Sequence, residues 1–392
     1  MLAGCSRFHH ELHEYVYVSA RQVYLHDRVA AVSNRTALVT NGEALEVVEH
    51  GKRFVKVRTP KGEIGWLEDH AIIDDKLYAQ FQDLEKKHAQ DPVVAKGELR
   101  DDLYMHVQPG RETPHFLLVP GNAKVQLLVR GTVPKAAAPG TLPAPKAKTA
   151  AAPQATSATS EKDAVAAPSA PVPMEDWWLV RDSASHTGWL LANRVDVDVP
   201  DEVGQYAEGQ RMIAAYPIAK VTDDGTGHDR SKAGKKDGKS HPAAAEASSG
   251  DGAENAIGPK EVTEFVTVLS PPRGGLPYDF DQVRVFTWSL NHHRYETAYR
   301  LHGIQGYLPV RITQENVNGV VEPIFSFEIA SSPDVSVDPD TGVTRPVSPR
   351  TIAFRLEGNI VKRTGADQAP IILAHAPDEP GKAKAAAKKK KR

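Results

Sequence analysis

A duplicated pattern constrains the fold of this chain more than any other feature of its sequence. Tyr24-Leu25-His26 leads to Gly65-Trp66-Leu67, and Tyr104-Met105-His106 leads in the same order to Gly188-Trp189-Leu190. The second copy is 43 residues longer, which is the length of residues 134–176. That segment is mostly Ala, Pro, Lys, Ser and Thr, and it has too few large apolar side chains to offset the entropy of ordering it. The sequence therefore predicts one module present twice, the second interrupted by a disordered insert.

With the insert removed, two strand patterns in each copy come into register. Residues 45–49 align with residues 125–129, and residues 54–58 align with residues 177–181. All four segments carry the β-branched, aromatic or large aliphatic side chains that are typical of strands. The insert falls at the hairpin tip, where added length costs little loop-closure entropy. Residues 125–130 and 177–181 are therefore predicted to pair as neighbours.

The arrangement resembles the bacterial SH3 domain, a small barrel of about five strands. The matching features are the opening strand at residues 18–24, the Gly42 turn, the two strands that follow it, and the closing Gly65-Trp66-Leu67. The resemblance covers residues 15–74 and, with the interruption, residues 94–197. It implies a groove that binds peptides, because bacterial SH3 domains often direct hydrolases or adaptors to the cell wall and its stem peptides.

Six aromatic side chains occupy positions that fall in or beside this groove in the SH3-like fold, and they are predicted to bind the ligand. They are Tyr17, Tyr24 and Trp66 in the first copy and Tyr104, Trp178 and Trp189 in the second. Aromatic faces that line a shallow cleft stack on peptides with little loss of entropy. For Trp66 and Trp189, packing in the core or at a strand edge is an equal alternative.

The remainder of the chain also reads as β structure. Leu77, Phe81, Leu84 and His88 form one face of a predicted helix over residues 75–90, which Pro92 ends. The later β segments are residues 211–221, 261–269, 283–288, 295–300, 307–312, 324–329 and 351–360. They are short and bounded by turn residues, which is typical of a meander or a sandwich. The predicted fold class is all-β, with two SH3-like barrels, a helical linker, a C-terminal β domain and long disordered inserts.

These observations give a predicted domain map. It consists of an N-terminal lead (residues 1–14), barrel 1 (15–74), a helical linker (75–92), barrel 2 (94–199, insert 134–176), a β-rich C-terminal domain (205–365, insert 222–258) and a disordered basic tail (366–392). The last 11 residues carry seven cations and no acid, which leaves 41 basic and 50 acidic groups in the rest. A solvated end explains the tail better than a specific contact with nucleic acid or anionic lipid.

Cys5 is the one cysteine, so an intrachain disulfide is excluded. Leu2-Ala3-Gly4-Cys5 resembles the lipobox of bacterial lipoproteins, which implies a diacylglycerol anchor on Cys5. A lipoprotein signal normally starts with a charged segment and an apolar stretch, and neither precedes Leu2. Two explanations stay open: the true start lies upstream of Met1, or the four-residue match is chance. We expect a membrane-anchored lipoprotein of the bacterial cell envelope.

The motif search points away from catalysis. His10-Glu11-Leu12-His13 has one residue too few between the histidines for the zinc-protease pattern. On a strand, the adjacent His292 and His293 would point to opposite faces and could not easily share a ligand, so a polar turn is the better interpretation. Asp334, Asp338 and Asp340 fit a turn better than a calcium loop. The sequence predicts no catalytic residue, no metal site and no cofactor.

The expected function is therefore a non-catalytic envelope protein that binds peptides or cell-wall stem peptides. Other envelope proteins are further candidate partners, and the membrane is contacted through the lipid anchor. Two alternatives stay open: a structural scaffold whose β domains bind other proteins, and an unrecognised hydrolase in the C-terminal domain.

Overall fold

The computed structural model describes residues 14–30, 33–136, 172–224, 260–317 and 319–371. Cys5 and the other residues of the N-terminal lead before Glu14 lie outside the described residues. The same holds for most of both predicted inserts and for the predicted basic tail from residue 372 onward. The regular secondary structure of the described residues is nearly all β-strand, which confirms the predicted all-β class. No helix within these ranges is long and apolar enough to cross a membrane.

The first module contains seven short antiparallel strands. They are β1 (Tyr15–Val18), β2 (Gln22–His26), β3 (Arg35–Thr40), β4 (Ala44–His50), β5 (Phe54–Arg58), β6 (Ile64–Glu68) and β7 (Ile72–Asp74). Their order in the sheet is β3-β2-β6-β5-β4-β1-β7. Alternate residues point inward, so that Val18, Leu25, Val39, Leu45 and Val57 form a fully buried core.

The second module repeats this architecture. Its strands are β8 (Ala95–Leu99), β9 (Leu103–His106), β10 (His115–Val119), β11 (Lys124–Pro134), β12 (Met174–Arg181), β13 (Thr187–Leu191) and β14 (Val195–Val197). Their order is β10-β9-β13-β12-β11-β8-β14, strand for strand that of the first module. Gln126 lies opposite Arg181, and Gly131 lies opposite Trp177. The predicted pairing across the insert is therefore confirmed.

The predicted boundaries of that insert are wrong at both ends. Strand β11 continues to Pro134, which pairs with Met174, and Thr132 pairs with Asp176. Asp176 is buried because Arg130 binds it, with Nη1 donating to Oδ1 at 3.2 Å. Composition alone places Pro134, Met174 and Asp176 in the disordered insert. A buried ion pair and the hydrogen bonds between two strands instead keep them in the folded module.

One helix, α1 (Asp75–His88), lies between the modules and ends two residues before the predicted Gln90. The Asp74 side chain caps it by accepting from Leu77 N at 2.9 Å. Tyr78 stacks on Tyr17 of the first module with 3.7 Å between ring centroids. Phe81 is buried and contacts Phe116 of the second module at a centroid distance of 5.8 Å. The helix therefore packs against both modules.

A direct polar contact also joins the two modules. The Asn41 side chain donates through Nδ2 to the carbonyl of Phe116 at 3.0 Å and accepts from Leu118 N at 2.9 Å. Arg21 forms an ion pair with Asp102 nearby. Asn41 thus satisfies backbone groups of the β10 edge strand and fixes the orientation of one module against the other.

The C-terminal region begins with a short helix, α2 (Asp201–Gly204), and forms one seven-stranded antiparallel sheet. Its strands are β15 (Arg211–Asp223), β16 (Lys260–Ser270), β17 (Phe280–Ser289), β18 (Arg294–Val317), β19 (Val320–Ala330), β22 (Pro349–Glu357) and β23 (Ile360–Thr364). Neighbours in the sheet follow chain order, so the predicted meander is confirmed. The segments predicted at 295–300 and 307–312 are one continuous strand.

A separate hairpin, β20 (Val335–Val337) and β21 (Thr344–Pro346), leaves this sheet and reaches the second module. Val343 forms a β-bridge with Gly131, and Thr132 N donates to Gly342 O at 3.1 Å. A Cβ on Gly131 would lie 2.2 Å from the carbonyl oxygen of Thr341, so only glycine permits this approach. From the sequence, the segment around Asp338 and Asp340 was predicted to be a turn, and the hairpin that contains it was not predicted.

The second module and the C-terminal sheet share one continuous core. Arg130 is at its polar centre: Nε donates to Asp279 Oδ1 at 3.0 Å, and Nη2 donates to Leu276 O at 2.9 Å. Burial by itself raises the pKa of Asp176, but Arg130 and the Gly275 N–H lower it below its ordinary value. Tyr216 OH donates to Val94 O at 2.6 Å across the same junction.

Candidate functional site

Each module has a groove in the same place, beside strands β2 and β6 in the first and β9 and β13 in the second. Groove 1 is a cleft of about 650 Å³ whose lining includes Tyr24, His26, Phe54 and Trp66. Groove 2 is a smaller cleft of about 280 Å³ whose lining includes Tyr104, His106, His115 and Trp177. Tyr24 and His26 correspond to Tyr104 and His106 in the repeat, Phe54 corresponds to Trp177, and His115 corresponds to Arg35.

Four polar or aromatic positions recur at identical spacing in and beside each groove, although Arg35 and Thr113 are not part of the groove linings. Each residue of the second set follows its counterpart by 80 positions. The sets are Tyr24, His26, Ser33 and Arg35 in the first module, and Tyr104, His106, Thr113 and His115 in the second. The Tyr-x-His part was predicted from the sequence. The hydroxyl residue (Ser33 or Thr113) and the basic residue (Arg35 or His115) were not. Extending the alignment along the loop would have found both.

The hydroxyl residue binds the histidine in both copies. Ser33 Oγ lies 2.8 Å from His26 Nδ1, and Thr113 Oγ1 lies 2.9 Å from His106 Nδ1. Each histidine also pairs across the ladder with the tryptophan of the closing strand, His26 with Trp66 and His106 with Trp189. The backbone therefore positions the imidazole, and the loop hydroxyl orients its ring.

The fourth member of each set contacts the tyrosine. The Arg35 guanidinium lies 4.2 Å from the centroid of the Tyr24 ring, within the range of a cation–π contact. His115 lies 5.1 Å from Tyr104 and 5.3 Å from His106, ring centroid to ring centroid. Burial, together with the nearby His115, lowers the pKa of His106 to about 4, so its imidazole is neutral at pH 7.

Three of the six aromatic residues predicted from the sequence line these grooves. Tyr24, which is 38% exposed, and Trp66 line groove 1, and Tyr104 lines groove 2. Tyr17 does not, because its ring stacks on Tyr78 of helix α1.

The placement of Trp178 and Trp189 in a groove is wrong. Trp178 is 4% exposed and packs in the core that the second module shares with the C-terminal sheet. Trp189 is 1% exposed and packs with Val343 of the C-terminal hairpin. Both are covered by residues more than 20 positions away in sequence, which a pattern within one module does not reveal. Trp177, which sequence reasoning overlooked, instead borders groove 2 and contacts His106 edge to face at 5.1 Å.

The surroundings of the two closing tryptophans differ in charge. Lys56 Nζ lies 5.8 Å from the Trp66 ring centroid and pairs with Glu49 at 3.7 Å. At the corresponding positions the second module has Leu179 and Val129, which pack with Trp189. A charged, solvated face in the first module is therefore an apolar, covered face in the second.

Among the residues that the structure describes, no group of three His, Cys, Asp or Glu side chains could hold a metal ion. His292 Nδ1 lies 2.7 Å from Glu296 Oε1, while His293 Nδ1 lies 2.8 Å from Asp223 Oδ2. The adjacent histidines thus contact different carboxylates, and both lie in a turn, as predicted. Asp338 Oδ1 accepts from the backbone of Asp340 and Thr341 at 2.9 Å, which is the predicted turn.

No family model matches the sequence, and no curated protein matches it. Solved structures that match include NlpC2 from Trichomonas vaginalis, at 8% identity and a TM-score of 0.15 over 50% of this chain and 53% of that one. An NlpC/P60 family protein from Bacillus cereus matches at 12% identity and a TM-score of 0.21 over 50% and 62%. NlpC1 from Trichomonas vaginalis matches at 8% identity and a TM-score of 0.15, over 73% of this chain and 87% of that one. The chain spans little more than half of the first two, and TM-scores this low carry no argument about function.

Proposed function

We propose that this chain is a non-catalytic peptide-binding protein of the bacterial cell envelope, with groove 1 as its main ligand site and cell-wall stem peptides as the ligand class. The observation that carries the proposal is the recurrence of one aromatic and imidazole arrangement in the same groove of two modules. The resemblance to bacterial SH3 domains supports the ligand class.

Groove 1 has the shape and chemistry that a short peptide requires. Its volume of about 650 Å³ falls within the range of roughly 300–1,000 Å³ that is common for ligand pockets. Tyr24 and Trp66 offer flat apolar faces, and His26 adds a hydrogen-bonding edge between them. Such a surface binds a peptide by stacking on its side chains and by one or two directed hydrogen bonds.

The hydroxyl and imidazole pair is better suited to binding than to hydrolysis. Thr113 Oγ1 lies 2.7 Å from the carbonyl oxygens of Gln108 and Gly110, so its hydrogen is directed to a carbonyl. The oxygen therefore accepts from His106 and is not a nucleophile that the imidazole deprotonates. In the second module this geometry therefore orients a ring and does not activate an attacking group.

The test is retention of the full chain on purified sacculi. Replacing both Tyr24 and Trp66 by Ala is expected to weaken retention about tenfold to a hundredfold, because each aromatic contact is worth roughly 0.5–1.5 kcal/mol. Tyr15→Ala is the matched control, since Tyr15 is exposed and lies outside the groove. Equal retention of the wild-type protein and the double variant would refute groove 1 as the site.

The envelope location has its own test. Cys5→Ser is expected to move the protein from the membrane fraction to the soluble fraction and to abolish incorporation of labelled fatty acid. An unchanged distribution of the Cys5→Ser protein would reject the anchor and leave the groove proposal standing.

A second candidate function, a scaffold that binds other proteins, is favoured by one surface. Val320 and Val321 are 60% and 58% exposed at the end of the long β18–β19 hairpin, and large exposed aliphatics there suit a protein contact. Val320→Asp with Val321→Asp should abolish recovery of crosslinked envelope proteins and leave sacculus retention intact. If the protein binds only peptides through its grooves, the double variant should give the same crosslinking pattern as the wild-type protein.

A further inference from the structure

The hydrogen bonds of Thr113 determine which nitrogen of His106 carries its proton. Thr113 Oγ1 lies 2.7 Å from Gln108 O, 2.7 Å from Gly110 O and 2.9 Å from His106 Nδ1. A carbonyl has no hydrogen to give, so the single hydroxyl hydrogen is donated to one of the two carbonyls or shared between them. The hydroxyl hydrogen therefore points to a carbonyl, and the hydrogen between Thr113 and His106 belongs to Nδ1.

A neutral imidazole protonated at Nδ1 carries a lone pair on Nε2. The low pKa of His106 is consistent with a single ring proton at pH 7. His106 lines groove 2 and Thr113 does not, so the ring edge away from Thr113 is the one that faces the groove. Within the described residues, Thr113 is the one hydrogen-bond partner of this ring, through its hydroxyl at 2.9 Å and also through its backbone, which raises the His106 pKa against the larger effect of burial.

We propose that Nε2 of His106 is the hydrogen-bond acceptor of groove 2 and receives an amide N–H of the bound peptide, with Thr113 as the positioning residue that holds the required tautomer. This inference rests on the proposed peptide-binding function. It concerns groove 2 alone, because Ser33 has no carbonyl partner among the described residues and either tautomer of His26 satisfies that pair.

The charges around groove 2 favour an amide over an ammonium donor. Arg111 forms a two-pronged ion pair with Glu175, at 2.9 and 2.7 Å, and Asp102 is paired with Arg21. The charged side chains at the rim are therefore already compensated by protein partners. Tyr104, which lies beside His115, supplies an aromatic face against which a planar peptide group can stack, whereas Trp177 is 2% exposed and packs edge to face against His106.

The tautomer can be tested without any ligand, by nitrogen NMR of the full chain labelled with ¹⁵N-histidine. The His106 signals, assigned by their loss in His106→Gln, should show a protonated Nδ1 and a bare Nε2. Thr113→Val should shift the ring toward the Nε2-protonated form, and Thr113→Ser should retain the wild-type pattern. A protonated Nε2 in the wild-type protein would overturn the inference, because it would leave no acceptor.

The ligand step uses soluble muropeptides, released from sacculi by a muramidase, in a protein whose groove 1 carries Tyr24→Ala and Trp66→Ala. Thr113→Val should weaken their binding about fivefold to tenfold, the effect of one hydrogen bond, and Thr113→Ser should not. Equal binding by these two variants overturns the inference and leaves the proposed function intact. If muropeptides do not bind to the wild-type protein at all, the inference and the proposed function are both overturned, whichever tautomer His106 has.

A second arm identifies the donor. Muropeptides whose free amines have been acetylated should bind as well as untreated ones, because acetylation removes ammonium groups and keeps the amides. Loss of binding after acetylation would assign the donor to an ammonium and contradict the amide proposal.

Discussion

The two modules have the same strand order and a Tyr-x-His pair in each groove, yet they face different surroundings. In the first, Glu49 and Lys56 flank Trp66 and keep that face in water. In the second, Val129 and Leu179 replace them, and the C-terminal hairpin covers Trp189. The comparison teaches that the repeat maintains the backbone and the groove, while two outward-facing positions decide whether a module stays open or joins a neighbour.

The largest expected difference between the modules concerns Arg130, whose counterpart in the first module is His50. Arg130→Ala leaves Asp279 buried without its cation and leaves Asp176 with Arg211 alone, and we expect a loss of about 3–5 kcal/mol in the free energy of unfolding. His50→Ala breaks only an exposed pair with Glu14 and should have no measurable effect. Urea denaturation of both variants measures the contrast. Similar midpoints would mean that the Arg130 network does not stabilise the junction.

The next prediction concerns the face beside each closing tryptophan, which is charged in the first module and apolar in the second. Leu179→Lys places a charge beneath the hairpin, and a loss of about 2–4 kcal/mol is expected, since the ammonium must reach water through the adjacent cleft. The reverse change, Lys56→Leu in the first module, should be close to neutral. Limited proteolysis near residues 335–346 should accelerate only in Leu179→Lys. An equally stable Leu179→Lys protein would show that the covering hairpin is not held by this apolar face.

The smallest effect is a pH dependence carried by His106. Its pKa is lowered from 6.5 to about 4 on folding, so the unfolded chain binds the proton first as the pH falls. The associated stability is complete above pH 6.5 and is lost between pH 6.5 and about 4. After discounting for partial exposure we expect about 1–2 kcal/mol. The other titratable side chains that line groove 2 with His106 are His115, Tyr104, Arg111 and Asp102.

Thermal melts of the wild-type protein and His106→Gln over this pH range measure that effect. The variant should lose less stability than the wild-type protein as the pH falls, because Gln has no proton to bind. His115→Gln is the control for the neighbouring ring. Parallel pH curves for the wild-type protein and His106→Gln would contradict the lowered pKa.

The repeat and the pairing of its strands could be predicted from sequence because they depend on local patterns. Gly65-Trp66-Leu67 and Gly188-Trp189-Leu190 each end a module, and the strand pattern before them survives the insert. The helix could be predicted for the same reason: the apolar stripe through Phe81 has a period that any sequence window displays.

The burial of Trp178 and Trp189 could not be predicted from one module, because the residues that cover them come from the C-terminal sheet and its hairpin. One signal was nevertheless present. The change from Glu49 and Lys56 to Val129 and Leu179 replaces a solvated pair by an apolar one, which indicates a covered face. The loop residues Ser33 and Thr113 were equally visible in the alignment, but their role depends on a contact with a strand histidine that only the folded loop makes.

The contact through Asn41 has a consequence for ligands that repeat. Because this side chain and helix α1 hold the modules in one orientation, grooves 1 and 2 are separated by a fixed span. A polymer that displays the same epitope at a matching interval would meet the second groove at high effective concentration once it occupies the first, and would gain avidity with no additional contact. A polymer of any other interval would engage the grooves one at a time.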